Sequence, residues 1–396
     1  MKGKDFIITG LQSWDIPIGS NAIDIAKEIA IDNRVLYVNS PLDMMTMYRN
    51  KPTAETSRRL EVLKKRKKPI RKISKNLWVL DFPFYVWSIN GLPDGFLFDF
   101  FNKANNRKIF RYTKKVADKL GFINPIHFID NDIYRSFYAK QILDPKLSVY
   151  YRRDNVQPYA YWKKHAVRLE PKLIHKSDLV VCNSPQLADY AKNFNNKSYD
   201  VGQGVDLSAY NTEMDFPVPA ALQAIPQPRI GYIGDINSMR LDADLIYELA
   251  KSKPGYSFVM IGNEDKVFAA HALHNLKNVH FTGSIAKQQV PEYMNALDVC
   301  LNPQLINEIT IGNYPRKVDE YLALGKPVIA TTTHTMELFK DHVYLCADVN
   351  EYKTAVEKAL IENSEEKKNQ RIIFARSHSW HNNVQEIYNQ IEKIIN

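Results

Sequence analysis

The stretch from Asn313 to Thr331, NYPRKVDEYLALGKPVIAT, constrains this chain more than any other. It reads as a loop, a short helix, a stop and a strand. Pro315 fits the first turn of a helix, where a missing N–H costs nothing. Val318, Tyr321 and Leu322 follow at i, i+3 and i+4 spacing, so one face of that helix packs inward. Gly325 ends it and Pro327 prevents its continuation. Val328, Ile329 and Ala330 then form a buried strand. Lys317 and Glu320 lie three apart on the same helix and share a face. They sit near its N-terminus, where free N–H groups and the helix dipole favour an anion. A cation, a carboxylate and a helix N-terminus together suit a nucleoside diphosphate. The carboxylate would take the ribose diol, and the lysine and amides the phosphates.

The pattern P-x-K-x-x-E-Y-L-A-x-G-K-P-V, running from Pro315 to Val328, resembles the nucleotide-binding signature of GT-B glycosyltransferases. The resemblance is to the retaining group 4 type and its teichuronic-acid-synthesis-like relatives. That family carries two glutamates separated by seven residues. The second corresponds to Glu320, and the resemblance implies that it binds ribose. The first, which contacts the donor sugar, falls at Gly312, and the nearest upstream acid is Glu308.

The 396 residues are enough for two or three domains, and a 45% hydrophobic content supports large cores. A net charge of +9 favours anionic partners such as nucleotides, anionic lipid or nucleic acid. Cys182, Cys300 and Cys346 lie far apart, lack metal-ligand spacing and read as reduced core residues. The N-terminus is too short in apolar length for a signal peptide, and no apolar run reaches membrane-spanning length. A cytoplasmic protein is expected.

The N-terminal half alternates short apolar runs with helical patterns. Strands are expected at 6–9, 35–38, 78–80, 126–129, 149–151 and 179–182, with a helix from Asn21 to Ile31. Such alternation implies an α/β layer with a parallel sheet. Ligands on such sheets sit at the carboxyl ends of the strands. The loop after the first strand holds Gly19 and Ser20, which by resemblance approach the donor phosphates. Asp130, Asp132 and Asp154 also stand at strand ends. Asp154 is the candidate to orient an acceptor hydroxyl, and capping of the next helix is its simpler use. His127 lies inside an apolar strand and reads as core.

From Ser57 to Asn76, ten of twenty residues are Lys or Arg. Nine aromatics follow by Phe101, starting with Trp78. Residues 57–101 therefore suit peripheral contact with an anionic membrane, or a solvated basic loop followed by core aromatics. Single-stranded nucleic acid is the weaker fit.

Gly202, Gly204 and Asp206 resemble the family's hinge. Four prolines between Pro217 and Pro228 then mark a linker. In the second half, strands ending in Gly234, Gly262 and Gly283 leave room for close approach of a ligand to the backbone. The resemblance places contacts to the base at Gly262, Gly283 and Ile285. A helix is expected to begin at Leu241, with Arg240 at its mouth. The family grips the diphosphate with two basic residues here. Asp235 stands at the first position and Arg240 at the second, so Arg316 is the candidate to restore the missing charge. The last segment carries a 3.6-period apolar stripe from Val384 to Ile395.

These observations define the expected protein. It has an α/β, GT-B fold of two Rossmann-like domains, 1–210 on the acceptor side and 211–375 on the donor side, with a cleft between them. A helix at 376–396 crosses back. Catalysis is expected from Asp154 and Lys317. Donor binding is expected from Glu320, Lys317, Arg240, Arg316, Gly234, Gly262, Gly283, Ile285, Gly19 and Ser20. The resemblance implies a reaction that moves a sugar from a nucleotide-sugar to a hydroxyl of a cell-surface polysaccharide or lipid-linked glycan, with retention and without metal or other cofactor. No nucleic acid partner is expected. The alternatives are a nucleotide-sugar epimerase on the same fold and a non-catalytic nucleotide-sugar or glycan-binding protein.

Overall fold

A computed structural model describes residues 1–16, 19–49 and 53–395. The chain divides into two compact units. Unit 1 comprises Met1–Gly204 with Trp380–Asn396, and unit 2 comprises Val205–Ser379.

Unit 1 is built on eight strands: β1 (Asp5–Gly10), β2 (Arg34–Val38), β3 (Ile70–Ser74), β4 (Leu77–Leu80), β5 (Ile126–Asp130), β6 (Leu147–Arg152), β7 (Leu179–Cys182) and β8 (Ser198–Asp200). Their order is β3-β4-β2-β1-β5-β6-β7-β8, parallel throughout except for β3, which pairs antiparallel with β4 at the edge. Every residue of β1, β5, β6 and β7 is buried. This is why those strands read as continuous apolar runs: helices cover both faces of a parallel sheet. His127 in β5 is fully buried, as its apolar surroundings predict. Burial pushes its pKa down to about 3, and its Nε2 meets Thr9 Oγ1 at 3.0 Å.

The C-terminal stripe belongs to unit 1. Trp380, Val384, Ile387, Tyr388 and Ile391 of the helix Trp380–Ile395 join the core beside Ile25, Ile29 and β1. The chain leaves this unit at Gly204, where a Cβ would meet the Trp380 ring at 2.2 Å. Only glycine allows the returning indole to lie so close to the backbone.

The basic run is not an open loop. It folds as a helix, Ala54–Leu63, then an exposed turn, then the edge strand β3. Several of its charges hold the fold together. Arg58 pairs with Asp81 at 2.9 Å, and Arg71 reaches both carboxylate oxygens of Asp15 at 2.7 Å. The aromatics after it divide: Phe82 and Phe98 are buried, whereas Tyr85, Trp87, Phe96 and Phe100 are exposed. Phe96 opens a long helix, Phe96–Lys119, absent from the expected elements. Its pattern was obscured because buried asparagines (Asn102, Asn105, Asn106) occupy core-facing positions where apolar residues are the usual signal.

Unit 2 carries six parallel strands: β9 (Arg229–Ile233), β10 (Ser257–Ile261), β11 (Val279–Gly283), β12 (Val299–Asn302), β13 (Val328–Thr331) and β14 (Tyr344–Cys346). Their order is β11-β10-β9-β12-β13-β14, so the chain winds outward from β9 and then restarts on its other side at β12. This is the doubly wound dinucleotide-fold order, which opens a crevice at the carboxyl ends of the two central strands. The three cysteines are all buried, and burial pushes the Cys300 thiol up to about 12. Among the described residues, no helix is long and apolar enough to cross a membrane.

Candidate active site

The 313–331 stretch folds as its pattern predicts. The helix runs Arg316–Ala323, with Val318, Tyr321 and Leu322 fully buried. Pro315 occupies the cap position just before the helix rather than its first turn. Gly325 has φ +70° at the stop, a backbone state open to glycine at little cost. Its carbonyl takes two bonds from Arg371, at 2.9 and 2.7 Å. Tyr321 anchors the helix to the sheet: its hydroxyl accepts the Ile233 N–H at the end of β9, at 3.0 Å.

Lys317 thereby comes to rest over the glycine ends of β9 and β10. Its Nζ donates to the Tyr232 hydroxyl and lies 3.8 Å from the centre of the Tyr232 ring. A Cβ on Gly234 would stand 2.7 Å from that same Nζ. A Cβ on Gly262 would stand 1.7 Å from the Gly234 carbonyl oxygen. Both glycines have strongly positive φ, +143° and +148°. The two strand ends are therefore pressed together under a lysine, which leaves bare backbone where a phosphate can approach. Gly283 ends β11 with φ +71° and open space around it, and Ile285 is half-buried against the same core.

Glu320 lies one turn along, partly exposed. Burial raises its pKa, and the neighbouring Arg316 and Lys317 pull it back down. The Tyr210 hydroxyl hydrogen-bonds to it, and burial together with the Glu320 charge pushes that phenol's pKa upward. Tyr210 and Tyr232 escaped sequence reasoning. Neither belongs to a local pattern, and each meets its partner only through the tertiary fold. Asp319, between the two functional side chains, faces the other way: it is fully buried and meets His378 Nδ1 at 2.7 Å.

The expected helix after β9 begins later than its sequence suggests. It runs Ala243–Ser252, and Asp242 caps it by accepting the Leu245 N–H at 2.9 Å. That N-terminus is already satisfied by a carboxylate of its own. Arg240 sits in the preceding loop, exposed, and its carbonyl accepts the Leu305 N–H at 2.8 Å. Gly312 is buried with φ +82°. Arg316 is exposed at the start of its helix.

The unit 1 candidates stand at the carboxyl ends of its own sheet. Gly19 (φ +77°) and Ser20 precede the helix Asn21–Asp32, and Ser20 is buried at its cap position without capping it. Pro17 and Ile18 of this loop lie outside the described residues. Asp154 follows β6 and is ion-paired with Arg153. The Arg153 Nε in turn holds the buried Asp130 at 2.8 Å, and Asn131 Oδ1 accepts the Arg153 N–H at 2.9 Å. Burial raises the Asp130 pKa and the Arg153 charge opposes it. Arg153, overlooked in the sequence, fixes the Asp154 carboxylate. Asp132 turns away to Ser136, at 2.9 Å.

Residues 227–362 match the model of the family described as glycosyl transferases group 1. That span contains β9–β14, Lys317 and Glu320. That span is similar to a group 1 glycosyltransferase domain.

The chain is also 30% identical, over 224 residues, to a putative teichuronic acid biosynthesis glycosyltransferase, TuaH, of Bacillus subtilis (strain 168). That match covers 53% of this chain and 56% of the relative, so the chain spans little more than half the length of the curated relative it matches. Among solved structures, sucrose-phosphate synthase from Thermosynechococcus elongatus superposes with a TM-score of 0.66 at 14% identity, covering 98% of both chains. HepE from Anabaena, in complex with UDP, superposes with a TM-score of 0.65 at 17% identity, covering 98% of this chain and all of that one. The shared architecture is the GT-B fold.

Proposed function

We propose that this protein is a glycosyltransferase that moves a sugar from a nucleotide-sugar onto a hydroxyl of a cell-surface polysaccharide or a lipid-linked glycan. The observation that carries the reading is Lys317 suspended over Gly234, against which Gly262 is pressed, one helical turn from Glu320. A diphosphate lying on those glycines meets a cation and bare backbone. Glu320 then takes the ribose hydroxyls. HepE, of the same fold, was solved with UDP, which makes UDP the first nucleotide to try.

In the reaction the bond from the donor's anomeric carbon to the phosphate oxygen breaks, the acceptor hydroxyl oxygen bonds to that carbon on the same face, and its proton passes to the departing diphosphate oxygen. The departing diphosphate carries the developing charge. Lys317 meets that charge directly, with Arg316 and Arg240 adding to the local positive field, so a metal ion is not required in this reading. Asp154 accepts a hydrogen bond from the acceptor hydroxyl. Its ion pair with Arg153 holds it in place as an acceptor.

A thermal-shift screen with UDP, ADP, GDP and CDP tests the donor site. One of the four is expected to raise the melting temperature by mass action, and Lys317→Ala to lose most of that shift. Full retention of the shift in the variant would remove Lys317 from the site. No shift with any of the four would overturn the reading.

The reading includes peripheral contact with an anionic membrane at the inner cell surface. The helix Phe96–Lys119 supports this better than the basic run. Its outer face carries Phe96 (85% exposed), Phe100 (59% exposed), then Lys103, Arg107, Arg111 and Lys114 at helical spacing. Aromatics that enter the interface and charges worth about 1 kcal/mol each near anionic lipid are the two requirements for such contact. The protein is expected to float with phosphatidylglycerol vesicles, and the Phe96→Ser/Phe100→Ser variant to stay in the soluble fraction. Equal flotation of both proteins rules this helix out as the contact.

A further inference from the structure

We infer that unit 1 holds a second carbohydrate site, a subsite for a sugar of the acceptor other than the one that receives the transfer. The inference rests on the transferase reading above.

A cavity of about 460 Å³ lies within unit 1. Its lining comes from segments that follow β2, β4, β5 and β6, so it opens on the carboxyl side of the sheet, where such sheets bind ligands. Its volume falls within the range of small-molecule sites. The lining is aromatic and polar together. Trp87 and Tyr161 are about half exposed, at 52% and 58%, and Tyr134 and Trp162 pack behind them with ring centroids 5.0 Å apart. Exposed aromatic faces of this size are uncommon on a surface with nothing to bind, and they match the apolar C–H face of a pyranose ring.

Polar groups supply the other half of sugar recognition. Asp43 uses one carboxylate oxygen to accept from the N–H and the hydroxyl of Thr46, both at 2.7 Å. Arg135 borders the cavity with its guanidinium partly exposed, its Nε 3.4 Å from Asp132. A carboxylate and a guanidinium facing stacked aromatics read hydroxyls in pairs, as a sugar presents them.

The walls are preformed. Trp87 is fixed through its backbone, which both donates to and accepts from the Asn105 side chain at 3.0 Å. Asn90 ties its loop to the Tyr161 carbonyl at 2.9 Å. A fixed backbone lowers the ordering cost of binding. Asp154, Arg153 and Asp130 do not line the cavity. In this proposal the sugar held here is distinct from the one whose hydroxyl Asp154 orients, so the acceptor carries at least two sugar units. The wall also runs on towards the membrane-facing helix through Trp87, Phe101 and Phe100, with centroid separations of 5.7 and 5.4 Å.

Saturation-transfer NMR on the full chain tests the site, with cellobiose, maltose, chitobiose and methyl β-glucopyranoside as probes. At least one disaccharide is expected to receive saturation. The Trp87→Ala/Tyr161→Ala variant is expected to cut the signal at least fivefold while keeping the UDP thermal shift. Both side chains are exposed, so the fold tolerates their removal. A signal of unchanged size in the variant overturns the site. So does no signal from any probe in a protein that UDP still stabilises, and that result leaves the transferase reading standing. A protein that UDP, ADP, GDP and CDP all leave unshifted overturns both.

Discussion

Glu320→Ala is expected to weaken UDP binding by at least about a hundredfold. Each hydrogen bond to a charged group contributes about 1.5–3 kcal/mol, and a ribose diol offers two. Truncation removes both and leaves the Tyr210 hydroxyl without its partner. Tyr210→Phe separates these contributions: it keeps the carboxylate and should cost less than tenfold. Isothermal titration of the two variants checks this, and equal losses would assign the effect to local packing rather than to ribose. The pH dependence carries a second signature. Burial raises the Glu320 pKa above the ordinary 4.5. Nucleotide binding that uses the ionised form is complete above the raised value and lost as pH falls through it. The acid limb should therefore lie above the usual carboxylate range, and Glu320→Gln should abolish it. Linkage has the opposite sign for stability: the fold binds the Glu320 proton more tightly than the unfolded chain does, so this group favours the folded state as pH falls. A loss of binding on mild acidification then cannot be a loss of fold at this residue.

Gly262→Ala is expected to be the most destabilising glycine-to-alanine change in unit 2. The added Cβ meets a backbone oxygen at 1.7 Å, and φ is +148°, so two separate penalties act together. Backbone strain of this kind costs about 1–3 kcal/mol and overpacking about as much again. In a unit of this size the sum corresponds to a fall in melting temperature on the order of 8–15 °C. Gly283→Ala is the internal control. Its φ is +71°, but no atom lies within 4 Å of the added carbon, so only the backbone term remains. Calorimetry of the two variants decides the matter: a Gly262→Ala transition within about 2 °C of wild type would show that β9 and β10 are not pressed together as described. The same contact bears on function, because separating those strand ends moves the floor on which Lys317 places a diphosphate.

Much of this was legible in the chain. Parallel strands buried on both faces give unbroken apolar runs, so β1, β2, β5, β6 and β7 were found near their true limits. The helix carrying Lys317 and Glu320 was legible for a different reason. Its leading proline, apolar spacing and stop are all local, and they agree with one another. The long helix from Phe96 was missed because it turns asparagines inward. There Asn105 holds the Trp87 backbone and Asn106 donates to the Tyr134 carbonyl, and neither use has a periodic signature. The basic run misled for a related reason. A run of charge says nothing about which members find a partner, and Arg58 and Arg71 found theirs in Asp81 and Asp15, far away in sequence.

The sequence by itself determined the elements, the chemistry of the donor helix and the glycines at the strand ends, because each is a property of neighbours along the chain. The tertiary structure decided which side chains hold the functional ones. Tyr232 under Lys317, Tyr210 on Glu320 and Arg153 on Asp130 are contacts across strands and loops, and packing alone selects them. The aromatic cavity of unit 1 belongs to the same class. Its walls come from segments after four different strands, and no local pattern of residues announces a space that only their convergence creates.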